Sequence, residues 1–112
     1  MENIIKLLGV MQLKRIFKFD VLKGSDFKIN MPKDAKILYV QTQFGEPKLW
    51  AIVDDENKIE TRTFKVIRTG HILPEESGEY IGTFQTLEGL YMWHLFEITN
   101  NKSETVENKL KK

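Results

Sequence analysis

Between Ile59 and His71 the chain reads IETRTFKVIRTGH, and its period of two calls for an extended strand rather than a helix. Arg62, Phe64, Val66 and Arg68 fall on one face; Ile59, Thr61, Thr63, Lys65 and Ile67 fall on the other. Neither face is cleanly apolar. Two of the chain's three arginines flank Phe64 and Val66, which admits two explanations. Either both sit at the rim with their stems laid over the core, or they floor a pocket for an anion. In the second case the Thr69-Gly70-His71 turn adds backbone N–H groups.

Segments of the same kind recur on both sides. LKRIFKFDV from Leu13 alternates as a half-buried strand, Lys23-Gly24-Ser25-Asp26 turns the chain, and FKIN follows as a short strand. MPKDA is a corner, because Pro32 cannot donate to a ladder. KILYVQTQF and KLWAIVD form a hairpin across Gly45-Glu46-Pro47, with Leu38, Val40, Thr42 and Phe44 on one face and Ile37, Tyr39, Gln41 and Gln43 on the other. Asp54 to Lys58 is a polar turn whose acids are solvated rather than metal-binding. After His71, Pro74 and the glutamates behind it suit a short helical turn near 74–79. YIGTFQT is a strand in which Gly82 marks a bulge or a close approach. LYMWHLFEI, apolar on both sides, suits a central strand or a subunit contact. Seven β segments with short connections predict an all-β domain, a small antiparallel meander rolled into a barrel or a two-layer sandwich.

With 112 residues, 41% of them apolar, the chain has material for one core. The expected division is an N-terminal extension over 1–12, a single β domain over 13–98 and a polar tail over 99–112. Ile4, Ile5, Leu7, Leu8 and Met11 suit one side of a short helix or an arm docked on the core or a sister subunit. Seventeen basic residues against sixteen acidic argue against duplex nucleic acid as partner. No apolar run nears the roughly 20 residues that span a bilayer, so no membrane partner is expected and the expected location is the cytoplasm. Absence of cysteine removes disulfides, thiolate metal sites and thiol nucleophiles.

His71 and His94 are the only histidines, and they lack metal-ligand spacing, so neither a metal nor a cofactor is expected. His94, inside the most apolar segment, reads as a hydrogen-bonded core histidine; His71 sits in a loop, where ligand contacts concentrate. No nucleophile elbow, phosphate loop or dinucleotide fingerprint occurs, which makes an enzyme the weaker reading. Aromatic rings interleaved with Arg62, Arg68, Gln41 and Gln43 supply the ingredients for base stacking and phosphate pairing. Trp50 and Tyr91 are the rings expected at the surface. The candidate ligand-binding set is Arg62, Arg68, Thr69, Gly70, His71, Trp50, Tyr91 and Gln43.

MPKDAKIL, the run from Gln43 to LWAIVD, Arg62-Thr63-Phe64, Thr69-Gly70-His71, YIGTF and WHLFEI follow one another in an order that resembles a small domain of unknown function common in tailed-phage genomes. The likeness covers about Phe17 to Ile98. That family usually has Gly-Thr-Gly-His where this chain has Arg68-Thr69-Gly70-His71, a change that adds a cation to the turn. The resemblance implies a phage accessory protein made in the bacterial cytoplasm. The leading expectation is a homo-oligomeric counter-defence protein that sequesters a small anionic nucleotide signal without catalysis. The alternatives are a protein-binding inhibitor or structural accessory, and a hydrolase of such a signal using His71 and a nearby glutamate.

Overall fold

The alternating segments become seven strands in a computed structural model that describes residues 13–22 and 26–99. They are β1 (Arg15–Asp20), β2 (Phe27–Pro32), β3 (Lys36–Gln43), β4 (Glu46–Val53), β5 (Ile59–Arg68), β6 (Glu79–Thr86) and β7 (Tyr91–Glu97). The expectations for residues 1–12, for the turn at Lys23-Gly24-Ser25 and for the tail from residue 100 onward fall outside the described residues.

Two antiparallel sheets face each other, one ordered β1-β4-β3 and the other β2-β5-β7-β6. Of the two architectures expected, it is the sandwich that forms. The strands do not follow one another as a simple meander, because β1, β3 and β4 lie in one sheet and β2, β5, β6 and β7 in the other. β7, apolar on both faces in the sequence, is a central strand between β5 and β6.

Inward residues of both sheets form one core that includes Met31, Val40, Leu49, Ala51, Val53, Phe64, Val66, Phe84 and Leu95. Phe27 stacks on Phe64, with ring centroids 5.6 Å apart. Among the described residues, every buried side-chain polar atom has a hydrogen-bond partner.

Two register shifts close one side of the sandwich. The first, between Ile37 and Tyr39, resets the alternation of β3. Ile37 therefore packs on the core together with Val40, and Leu38 is exposed, a correction to the strict period-two faces expected for this strand. The second shift, between Tyr80 and Gly82, lies in β6. A Cβ at Gly82 would stand 2.7 Å from Val40 Cγ1, so this glycine is both bulge and close approach. Thr42 Oγ1 donates to the Gln85 carbonyl across the same seam, at 2.5 Å.

The order of strands sorts the connections to two ends. At the polar end, the β2–β3 and β4–β5 turns meet: Lys33 N donates to Lys58 O at 2.7 Å and Asn57 Nδ2 to Lys33 O at 3.0 Å. At the opposite, hairpin end lie the close of β1 and the start of β2, the β3–β4 and β6–β7 turns and the exit from β5. β5 and β6 both run antiparallel to β7, hence parallel to each other, so residues 69–78 must travel back to the polar end. No helix forms there. Residues 74–77 make a turn closed by a hydrogen bond from Ser77 Oγ to the Pro74 carbonyl, and Gly78 leaves it at a φ of 90°. A helical turn at this place would have exposed Glu75 and Glu76 with no apolar stripe to bury.

Candidate functional site

Strand β5 carries Arg62 and Arg68 on one face, six residues and hence about 20 Å apart. The fold places them at opposite ends. Arg62 forms a two-pronged ion pair with Glu97, Nε to Oε2 at 2.6 Å and Nη2 to Oε1 at 2.8 Å. A third donor, Nη1, reaches the Ala35 carbonyl at 2.6 Å. Glu97 is buried, and its hydrogen bonds raise the pKa of the guanidinium against the opposing effect of burial. Arg62 thus seals the polar end of the core and does not reach the opening at which Arg68 stands.

Arg68 is exposed, and its guanidinium carbon lies 4.4 Å from the centre of the Tyr91 ring. This is cation–π geometry. Among the described residues no carboxylate pairs with it. Beyond Arg68 the chain bends at once: His71 N donates to the Arg68 carbonyl at 3.0 Å, with Gly70 at a φ of 93°. Nothing would meet a Cβ at Gly70, so glycine is required there for conformation rather than for space. The bend brings His71 beside Arg68 in a pocket of about 330 Å³ that Lys65, Asp26, Ile72 and Trp93 also line. Lys65 is held by Asp26 at 2.8 Å. Trp93 is fixed by its indole N–H, which donates to Thr86 Oγ1 at 2.9 Å.

Thr69 turns the other way, to the outer face of the four-stranded sheet. Its hydroxyl lies 2.8 Å from His94 Nε2, while His94 Nδ1 lies 2.9 Å from Thr83 Oγ1. Thr83 Oγ1 in turn lies 2.7 Å from the Tyr80 hydroxyl. A neutral imidazole donates through one nitrogen and accepts through the other, so hydroxyls on both sides suit it in either tautomer. His94 is hydrogen-bonded as expected, but on the outer face and not in the core.

Of the eight candidate residues, the fold gathers Arg68, Thr69, Gly70, His71 and Tyr91 at the hairpin end. Three do not join them: Gln43 ends β3 at the same end but on the other sheet, and Arg62, Trp50 and Gln43 all stay out of the pocket. Arg62 is in its ion pair, Trp50 lies on the other sheet opposite Lys18 and Tyr39, and Gln43 accepts a hydrogen bond from Lys18 Nζ at 2.8 Å. Trp50 and Tyr91, expected at the surface, are both half-buried. Sequence reasoning missed Lys65, Asp26 and Trp93. Period two puts Lys65 on the face opposite Arg68, yet both line one pocket at the end of β5. Among the described residues no group of three or more His, Asp or Glu side chains could hold a metal ion.

No curated protein and no solved structure matches the chain. A family described as a domain of unknown function (DUF7352) matches residues 12–106, a span that contains all seven strands and every residue of the pocket. The chain belongs to this DUF7352 family.

Proposed function

We propose that the pocket at the hairpin end binds a small anionic ligand of nucleotide type and releases it unchanged. The observation that carries this reading is Arg68, whose guanidinium is held on Tyr91 without a carboxylate partner among the described residues, at the rim of a pocket shared with His71 and Trp93. A guanidinium already ordered by a ring costs little further entropy when it meets phosphate. Trp93 offers an aromatic surface against which a base can lie. Lys65, already matched by Asp26, adds less charge. The likeness to a tailed-phage domain makes a nucleotide signal of bacterial immunity the ligand class to try first. In that role the protein holds such a signal away from its receptor in the bacterial cytoplasm.

Calorimetric titration with cyclic and ADP-ribose-type nucleotides tests the reading. Binding is expected for at least one, weakened about tenfold or more by Arg68→Ala, with the ligand recovered intact by chromatography. Absence of heat across the panel ends the proposal. One observation favours a second reading as a hydrolase working on the outer sheet face and not in the pocket: Thr69 Oγ1 stands 2.8 Å from His94 Nε2, a hydroxyl beside a base. That reading requires an altered ligand after incubation, and its loss in His94→Ala.

A further inference from the structure

The two ends of the sandwich differ in what they show to solvent. The turns of the polar end present Lys33, Asp34, Asp55, Glu56, Asn57 and Lys58. The connections of the hairpin end present Leu22, Phe44, Ile72, Leu73, Leu87 and Leu90, all more than half exposed, with Phe44 at 96% and Ile72 at 89%. Half of the twelve exposed large hydrophobic residues among those described are therefore at one end. Two of them stand on backbone that a large side chain resists, Phe44 at a φ of 52° and Leu87 at a φ of 52°. Glycine or asparagine would sit in either turn with less strain.

We infer that the hairpin end is a contact surface for a second copy of this chain, joined by a two-fold axis. Six side chains so exposed offer on the order of 600 Å² of apolar surface, at the upper end of what a monomer leaves bare and a large share of the roughly 800 Å² per partner of a standard interface. A two-fold contact sets the same patch on both copies, so charges of opposite sign on it can pair across the axis. This end has them: Arg68 on one side, and Glu46 and Glu88, both exposed, on the two hairpins. The pocket opens at the same end, with Ile72 in its lining, so the partner copy would roof it. The contact does not depend on any ligand.

Analytical ultracentrifugation of the full chain at micromolar concentration tests it, together with the double variant Phe44→Asn, Leu87→Asn. The wild type is expected to sediment as a dimer. The variant is expected to dissociate at least about tenfold more readily, while melting no lower than the wild type where both are monomers. A wild-type monomer overturns the inference, as does a dimer that the double variant leaves unchanged. A monomer that pellets with anionic vesicles or captures a foreign protein overturns it as well. Calorimetry on the same samples separates the two proposals. A monomer that binds nucleotide defeats only the dimer, and a dimer that binds none defeats only the ligand.

Discussion

Arg62 and Arg68 share one strand and one face, yet their surroundings give them unlike work. Arg62 meets a buried carboxylate through a fork, and truncating it leaves Glu97 without its counter-charge. Arg62→Ala is expected to lower unfolding stability by about 2–3 kcal/mol in urea titration, because a desolvated ion is left unpaired. Replacing both partners, Arg62→Met with Glu97→Leu, is expected to restore most of that loss, since no orphan charge remains. Arg68→Ala removes only an exposed ring contact, so its stability change should stay within about 1 kcal/mol.

At the scale of the elements, glycines and turns fix where the strands end. Gly82 lets β6 come against β3, and a methyl group there would overlap Val40. Gly82→Ala is expected to cost about 1–3 kcal/mol through overpacking, read as a lower urea midpoint. Gly78→Ala should be worse. Its Cβ would lie 1.9 Å from the Glu97 carbonyl oxygen, on backbone at a φ of 90°. The β3–β4 turn runs the opposite way: Phe44→Asn relieves a left-handed phenylalanine and is expected to stabilise the monomer by about 0.5–1 kcal/mol. A melting curve showing a loss would mean that Phe44 packs on something within its own chain.

For the whole molecule, position within the sheets ranks stability. β4, β5 and β7 have strand neighbours on both sides, whereas β1, β2, β3 and β6 are edges. Hydrogen exchange should be slowest in Leu49–Val53, Phe64–Val66 and Trp93–Phe96 and fastest in β1. Fast exchange throughout β7 would contradict the strand order. The strands themselves were legible in the sequence, because alternation of apolar and polar residues is a local signal and glycine or proline marks most breaks. The Arg68–His71 bend was legible too, since four consecutive residues carry it. Which residues join it was not. Lys65 and Trp93 enter the pocket, and Arg62, Trp50 and Gln43 leave it, through sheet order and chain direction that no local pattern encodes. The reset at Leu38 was equally hidden, as a bulge needs only one unpaired residue.

What the sequence determined alone was the number of strands, their all-β class and a turn rich in functional groups, because these follow from spacing along the chain. What the tertiary structure decided was that one arginine would be spent on Glu97 and the other left open, and that the apolar turns would share an end with it. Those outcomes depend on residues far apart in sequence meeting across two sheets, which periodicity cannot express.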